Sequence, residues 1–322
     1  MPSPANTLFS TPLAAGQGLI RATGAEAEKF LQGQFSNDLR ALQVGCGQWS
    51  SYNTPKGRII ANFYVQRDRE GFWLSLARDL ADPVLERLRK FRLMTKVELE
   101  RGEPQWEILG VAGPGSGALL SSTLGAAMAV EANVGLAGED WIATRLPWAA
   151  GEAYLLIVRA QPAAVLRQSL AAGGAAPADY GAWQELAIRS GVALISLATT
   201  EKVIPQELNL EPLGGISFTK GCYPGQEIVA RSHYLGRLKN QTYRVQAATP
   251  LTVGEEIYTG ALPDQGIGLV INAVATASGW EALAVLRAAN SADILHAGKA
   301  DGPPLTILDL PYPLPLDTPK EA

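Results

Sequence analysis

The sequence predicts an α+β fold that ends in a small unit built only from β-strands. Helical and strand-like patterns alternate up to about residue 240, and short β-favouring runs replace them from Gln241 onward. Length is a third observation, since 322 residues exceed the size at which a single hydrophobic core keeps growing. Two or three packed units are therefore expected.

The first predicted elements are a helix and a hairpin. The run Thr23-Gly24-Ala25-Glu26 has the pattern of a capping box, and apolar residues then recur at helical spacing. These residues are Phe30, Leu31, Phe35, Leu39 and Leu42. A helix is predicted over 25–42, and a hairpin with strands at 58–65 and 72–77 follows it.

The rest of the chain continues the alternation. Asp82-Pro83 favours a helix start, because Asp caps and Pro fits the first turn, and this helix is predicted to end near Arg92. Further strands are predicted at 96–99, 106–111 and 154–158, and helices at 118–124 and 162–170. The all-β unit has predicted strands at 242–245, 268–274 and 282–286, and the Pro-rich end, 310–319, is predicted to be an extended tail.

Composition narrows the class of partner and the compartment. The apolar share of 47% and charged share of 18% are typical of a folded globular chain. A net charge of -4 repels nucleic acid and anionic membranes, so proteins or small molecules are the expected partners, with no direct nucleic acid and no membrane. Two cysteines and no signal-peptide pattern indicate a reducing compartment, and the cytoplasm is the expected location.

The segment 204–236 has no clean helical or strand period. Five glycines lie between 214 and 236, which indicates unusual backbone conformations or close approach to something bound. Cys222 stands two residues from Lys220 and near Arg231, and these cations would favour a reactive thiolate. The alternative is a buried, inert cysteine.

Other polar residues carry weaker indications. Gln226 and Glu227 could hydrogen-bond the amide edge of a heterocycle, or they could be solvated or helix-capping groups. His233 and His296 lack metal-ligand spacing, so core or surface roles are expected for both. No metal site is predicted.

The segment Lys220-Gly221-Cys222-Tyr223-Pro224-Gly225-Gln226-Glu227 resembles the signature of the YgfZ family, Lys-Gly-Cys-Tyr-x-Gly-Gln-Glu. The resemblance extends to residues 30–38, 56–58, 90–97 and 205–210. It is strong over about 20–240 and weak in the C-terminal unit.

This resemblance implies a three-domain ring of the aminomethyltransferase type, in which a central channel holds a reduced folate and the third domain is a small β-barrel. The expected domains are a folate-binding α+β domain from 1–48 and 115–240, a second α+β domain from 49–114 and a β-barrel from 241–322. The two mixed units and the β unit read from the residues agree with it.

The resemblance also implies site residues and the cofactor tetrahydrofolate. Trp183 matches a tryptophan of the family's folate site, although a core role is the alternative; the family's second tryptophan would fall near Gln17. The expected catalytic residues are Cys222, Lys220 and Tyr223, and the expected folate contacts are Trp183, Gln226, Glu227 and Arg231. Lys220, Arg231, Arg237 and Lys239 could meet a folate glutamate tail or form only surface charge.

The function that the resemblance implies is folate-dependent support of the assembly or repair of iron-sulfur clusters in client proteins, among them radical enzymes that modify tRNA. A cluster usually takes about four thiolates, and this chain has two cysteines far apart in sequence. One chain cannot therefore be a conventional cluster scaffold. Cys222 could share a cluster with a partner, or act by redox or covalent exchange.

Three alternatives stay open. A folate-dependent aminomethyl-type transferase would need the pattern Asn-x-x-Gly-Gly-x-x-Asp-Asp, but the matching run 53–61 ends in Ile60 and Ala61, without either carboxylate. A dinucleotide protein could use Gly113-Pro114-Gly115-Ser116-Gly117, although this run lacks the Gly-x-Gly-x-x-Gly spacing. A scaffold with a vestigial folate pocket is the third.

Overall fold

Two open β-sheets and one closed barrel organise the chain. The computed structural model describes residues 4–235 and 238–314. Six helices accompany the sheets in the described part: α1 (Ala27–Gln32), α2 (Arg78–Phe91), α3 (Ser116–Leu124), α4 (Ala160–Ala172), α5 (Tyr180–Arg189) and α6 (Gln226–Leu235). Short 3₁₀ turns lie at Pro4–Asn6 and Ala288–Asn290.

The five-stranded sheet is antiparallel throughout. Its strands, in spatial order, are Gly47–Asn53, Ile59–Arg67, Gly71–Ala77, Gln17–Thr23 and Glu98–Arg101. Helix α2 covers one face, because its buried residues recur three or four positions apart and form one apolar stripe. The stripe consists of Leu80, Ala81, Val84, Leu85 and Leu88.

The six-stranded sheet carries α3 and α4. Its strands, in spatial order, are Ala176–Pro177, Phe9–Pro12, Trp106–Ala112, Ala153–Arg159, Trp141–Arg145 and Gly135–Ala137. The first pair is parallel and the other pairs are antiparallel. Leu120 on α3 and Leu166 and Leu170 on α4 are buried in one apolar cluster with this sheet.

The C-terminal unit is a closed antiparallel barrel, which confirms the predicted fold class. Its strands, in spatial order, are Asn240–Ala247, Gly279–Arg287, Gly268–Thr276, Glu256–Thr259, Leu295–Ala297 and Pro304–Leu308. The first and last of these pair and close it. Closure removes the exposed strand edges that a small open sheet would present.

The sheets divide the chain differently from the expected domains. The strand Gln17–Thr23 pairs along its whole length with Gly71–Ala77, whereas the boundary at 48 separates them. Trp106–Ala112 likewise pairs with Ala153–Arg159 across the boundary at 114. The domain limits in the first 240 residues stay a prediction, and sheet membership does not follow them.

Several predicted elements have other bounds. Helix α1 ends at Gln32 instead of 42, since Phe35 leaves the helix to bridge Tyr52, and its side chain is buried in the core all the same. Helix α2 begins at Arg78, one turn before Asp82, whose carboxylate accepts a 2.6 Å hydrogen bond from Arg101. Helix α6 lies in the segment that showed no period.

The glycine run at 113–117 does not form a free anion site. Gly115 has φ +82° and precedes helix α3. The main-chain N–H groups of Gly115 and Gly117 both donate to the carboxylate of Glu152, at 3.0 and 3.1 Å. Because this acid already occupies the positive end of the helix, the geometry argues against phosphate binding there.

Side chains join the barrel to the rest of the chain. The buried carboxylate of Glu281 accepts hydrogen bonds from Arg189 on α5 and from Arg244 in the barrel. The hydroxyl of Tyr312 donates to the carbonyl of Gly191 at 2.7 Å, so the start of the predicted tail packs against the chain. The remainder of that tail, from 315, lies outside the described residues.

Candidate functional site

A cavity of about 40 Å³ lies between the two sheets and helix α5, with Asn272 of the barrel at its wall. Five aromatic side chains line it: Trp49, Tyr64, Trp148, Tyr180 and Trp183. The rings of Trp148 and Trp183 lie 4.5 Å apart, centroid to centroid, at an angle of 51°. Aromatic faces of this kind suit a flat, apolar-faced ligand. We call this space the aromatic cavity.

The walls of the aromatic cavity contain polar atoms without partners. Among the described residues, Nε1 of Trp49, Trp148 and Trp183 and Oγ of Ser75 are buried and make no hydrogen bond. Each such group costs on the order of 1–3 kcal/mol. A ligand with hydrogen-bond acceptors along its edge would recover this cost at several points.

Trp183 is both a core residue and a cavity residue. Helix α5 begins at Tyr180, with Asp179 as its N-cap, so Trp183 lies in the first turn of the helix. Its side chain is buried, with 1% of its surface exposed. Its ring packs on Gly110, where an added Cβ would lie 2.4 Å from the indole. The core and ligand-site alternatives for Trp183 therefore do not exclude each other.

Gln17 lines the same cavity. Its side chain hydrogen-bonds Tyr180, and burial of that phenol raises the pKa of Tyr180 to about 12. The position expected to hold the family's second tryptophan is thus in the cavity, and it carries an amide. A polar contact replaces part of the aromatic wall there.

A larger open cavity adjoins the aromatic cavity. It has a volume of about 630 Å³ and shares four lining residues with the inner one. The four are Tyr180, Gln184, Leu194 and Asn272. Asn272 is fixed by a reciprocal pair of hydrogen bonds with the main chain of Leu194, at 2.8 and 3.0 Å. These four residues separate the two cavities, and a ligand could displace the side chains of Tyr180 and Gln184.

Lys220 is buried and acts as an anchor for its loop. Its ammonium donates to the main-chain carbonyls of Gln32, at 2.6 Å, of Asn37, at 3.0 Å, and of Phe35. Gln32 is the last residue of helix α1, where a cation is favourable, and the other two carbonyls belong to the irregular stretch after it. Burial lowers the pKa of Lys220 to about 8, and Asp38 partly opposes this. Sequence proximity had predicted that Lys220 serves the sulfur instead.

Tyr223 is also buried. The ammonium of Lys220 lies 5.1 Å from the centre of its ring. Burial raises the pKa of Tyr223 to about 12, so the phenol stays protonated at neutral pH. Tyr223 and Lys220 together pin the two sides of Cys222 to the protein.

Cys222 itself is exposed. The alternative of a buried cysteine is therefore wrong, and the reactivity of the thiol stays a prediction. Cys222 lines neither the aromatic cavity nor the larger open cavity beside it. A partner molecule can reach it from solvent.

Two glycines bring the cysteine loop against the five-stranded sheet. Gly225 has φ +80°, and an added Cβ would lie 2.5 Å from the carbonyl oxygen of Thr54 and 2.7 Å from Cα of Gly57. Gly57 has φ +74° and packs on Ile228. Only glycine permits both the conformation and the approach. Residues 56–58 and 220–227, which both carry the family resemblance, are thus in contact.

The remaining predicted folate contacts lie on helix α6. Gln226 begins that helix, and Glu227 and Arg231 are exposed on it. None of the three lines the aromatic cavity in the described structure, so their contacts with folate stay predictions. Arg237, part of the predicted basic group, lies outside the described residues.

One strand connects the cavity with the loop. Trp49, Ser51 and Asn53 share a face of Gly47–Asn53, because side chains alternate along a strand. The hydroxyl of Ser51 and the amide of Asn53 are buried without partners among the residues described. The turn after Asn53 is the one that touches Gly225. A polar face therefore runs from the aromatic wall to the cysteine loop.

The histidines have protein partners. Nδ1 of His233 lies 2.7 Å from Glu211, and its ring stacks on Phe218 at 3.9 Å. Nδ1 of His296 lies 2.8 Å from the carbonyl of Gly302. Among the described residues, no group of three or more His, Cys, Asp or Glu is arranged to hold a metal ion.

The sequence did not identify Trp49, Trp148 or Tyr180 as site residues. They come from a strand, a loop and a helix far apart in the chain, and no motif joins them. Only the fold brings them together.

The chain is similar in sequence to known proteins. The family described as GCVT N-terminal domain matches residues 15–214. The tRNA-modifying protein YgfZ of Yersinia pestis (strain Pestoides F) is 34% identical over 226 residues, which are 70% of this chain and 67% of that protein. The chain belongs to the YgfZ family. The protein of that name from Escherichia coli O127:H6 is 32% identical over 232 residues, covering 71% and 69% of the two chains.

A solved structure supports the fold of the family member. Aminomethyltransferase T of the glycine cleavage system from Bartonella henselae superposes with a TM-score of 0.75 at 17% identity, over 96% of this chain and 87% of that one. The predicted aminomethyltransferase-type fold with a C-terminal barrel is confirmed. Ile60 and Ala61, which stand in place of the transferase carboxylates, are buried apolar residues in this YgfZ family member.

The helices of this family member are short. Within residues 4–235 and 238–314, no helix is long and apolar enough to cross a bilayer.

Proposed function

We propose that this protein binds a reduced folate in the aromatic cavity and, through the thiol of Cys222, supports assembly or repair of iron-sulfur clusters in client enzymes. Tetrahydrofolate is the proposed ligand. The single observation that carries the proposal is the pairing of an exposed cysteine, on a loop anchored by buried residues, with an aromatic cavity on the same sheet.

The residues of the cavity fit a pterin in kind. Aromatic faces would pack on a flat bicyclic ring, and the unpartnered Nε1 groups of Trp49, Trp148 and Trp183 would donate to its acceptors. A cavity of about 40 Å³ holds little more than a water, so the walls must move apart to admit the ring. The neighbouring cavity offers the space for this movement. When bound, a reduced folate would supply one-carbon chemistry.

The cysteine loop supports the second half of the proposal. Lys220 and Tyr223 are buried on either side of Cys222, so the sulfur is presented to solvent from a fixed backbone. An exposed thiolate can donate one ligand to a cluster held mainly by a client. It can also attack a client disulfide, forming a new S–S bond while the other sulfur leaves as a thiolate.

Folate binding is tested by calorimetric titration of tetrahydrofolate. Trp183→Phe keeps the bulk of the ring but loses Nε1, and should weaken binding about tenfold. The control is Trp280→Phe, on a half-buried barrel tryptophan outside the cavity. Absence of binding by the unchanged protein would reject the folate assignment. Equal tetrahydrofolate affinities for Trp183→Phe and Trp280→Phe would reject the aromatic cavity as the binding site.

The thiol is tested in an Escherichia coli strain that lacks its own relative. Cys222→Ala should fold normally yet fail to restore the activity of iron-sulfur enzymes, whereas Cys46→Ala, at the partly buried second cysteine, should restore it. Full restoration by Cys222→Ala would exclude a role for the sulfur. Turnover of a methylamine donor by the purified protein would instead support the aminomethyl-type transferase.

A further inference from the structure

An apolar and cationic tip projects from the end of helix α2. It comprises residues 90–96, and we call it the α2 tip. Phe91, Leu93 and Met94 expose 54%, 85% and 97% of their surface. Three neighbouring large apolar side chains exposed to this degree form a patch that water solvates poorly. Isolated exposed apolar residues need no explanation, but this cluster does.

The backbone at Leu93 shows that the patch does not serve the chain's own stability. Helix α2 ends at Phe91 with Arg92 as its C-cap, so Leu93 follows the cap, at φ +41°. This left-handed position is usually filled by glycine, because a Cβ is strained there. The Leu93 side chain gains almost no burial in return. A strained, exposed leucine is explained by a contact with another molecule.

Positive charge surrounds the apolar residues. Lys90, Arg92 and Lys96 are exposed, and no acidic residue occurs from 89 to 97, in a chain whose net charge is -4. Arg92 donates to the carbonyl of Val97, and the N–H of Thr95 donates to the carbonyl of Arg92, so the turn has a defined shape. The α2 tip is thus a preformed apolar knob with a cationic rim.

We propose that the α2 tip docks into an apolar pocket rimmed by carboxylates on a partner protein. Exposed Glu98 and Glu100 lie directly beyond the tip, and the carboxylate of Glu26 accepts a hydrogen bond from the N–H of Lys96. A broad anionic surface, such as a lipid bilayer or RNA, would be repelled by these three acids. A concave acidic pocket would contact only the α2 tip and would leave these three acids outside the interface.

The apolar composition also favours a protein partner. Leu93 and Met94 are more exposed than Phe91, and aliphatic side chains offer no face for base stacking. Methionine adapts to protein pockets of irregular shape. The tip lies about 20 Å along helix α2 from Arg78, which lines the larger open cavity. Docking by the tip is therefore independent of folate binding, and the two proposals can fail separately.

The decisive variant is Leu93→Gly. It relieves the left-handed strain and deletes the apolar side chain, so the melting temperature should stay the same or rise by ~2 °C. A loss of docking in this variant cannot then come from misfolding. Lys90→Glu tests the charge, and Ile294→Glu, at a residue 73% exposed in the barrel unit, is the matched control.

Docking is measured by photo-crosslinking from a benzoylphenylalanine at position 94, in the complemented Escherichia coli strain. The expected result is a discrete protein product whose crosslinked peptide contains more Asp and Glu than Lys and Arg. Its yield should fall at least fivefold with Leu93→Gly and with Lys90→Glu, but not with Ile294→Glu.

Four results would overturn the docking site. They are the absence of a discrete product, a yield insensitive to Leu93→Gly, a partner peptide that is basic, and the same product from a crosslinker at position 294. Binding of purified protein to total tRNA, or to phosphatidylcholine vesicles containing phosphatidylglycerol, that is lost in Leu93→Gly would assign the tip to those surfaces instead.

Discussion

Replacing Lys220 by methionine tests how the cysteine loop is held. The change keeps an unbranched side chain of similar length but removes the donor to three buried carbonyls, those of Gln32, Phe35 and Asn37. Each carbonyl left without a donor costs on the order of 1–3 kcal/mol, while removing a desolvated charge recovers part of this. We expect a net loss of about 2 kcal/mol at pH 7.

The pH dependence identifies Lys220 as the source of the effect. Burial lowers its pKa from 10.5 to about 8, so between these values the unfolded chain holds the proton more tightly than the folded chain. The stability linked to this site is therefore fully present above the unfolded value and is lost as the pH falls through the folded pKa. The whole difference is worth about 3 kcal/mol, of which about 2 kcal/mol develops between pH 7 and 9.5.

The assay is urea unfolding at several pH values for the unchanged protein, Lys220→Met and Lys202→Met, the last at an exposed lysine. The stability difference between the unchanged protein and Lys220→Met should grow by about 2 kcal/mol from pH 7 to 9.5. The difference for Lys202→Met should stay flat. Parallel curves for all three proteins would refute a buried, depressed lysine at position 220.

Two further changes test the site. Gly225→Ala should destabilise the protein by more than about 2 kcal/mol, because its Cβ would lie 2.5 Å from the carbonyl oxygen of Thr54. Gly221→Ala, with open space around it, is the control and should be tolerated in the same thermal unfolding assay. Equal melting temperatures for the two variants would show that the loop does not need this close approach. Tyr180→Phe frees Gln17 and should change the tetrahydrofolate affinity severalfold without altering the fold, and unchanged titration curves would remove Tyr180 from the ligand path.

Local patterns predicted the regular parts of the fold well. The strands at 154–158, 242–245 and 268–274 lie inside observed strands, since each is a β-favouring run bounded by turn residues. The all-β C-terminal unit was predicted from its short β-favouring runs, whereas the barrel was implied by the family resemblance; pairs such as Asn240–Ala247 with Gly279–Arg287 are distant in sequence and no local pattern indicates them. Phe35, Leu39 and Leu42 misled the prediction of one long helix, because burial alone recurs at that spacing in an irregular stretch.

The site could be predicted only in part, because its interactions are distant in sequence. Lys220 stands two residues from Cys222, which suggested a role in tuning the sulfur, but its acceptors lie 183 to 188 residues away. A buried ammonium without hydrogen-bond acceptors costs more free energy than its charge could gain by stabilising a neighbouring thiolate. The Lys220 side chain therefore points to the three carbonyls. Trp183 was identified through the family resemblance and the other aromatic walls were not.

The geometry limits how a ligand in the cavity can influence the cysteine. Trp49 and Asn53 are four residues apart on one strand, about 13 Å, and the turn beyond Asn53 contacts Gly225, whose Cα lies within about 11 Å of that of Cys222. A bound pterin ring would not touch the sulfur over such a span. Communication would have to pass along the partner-free side chains of Ser51 and Asn53, or through a ligand long enough to lie across them. A ligand that widened the aromatic cavity at Trp49 would act on the strand that leads to the turn under the cysteine loop.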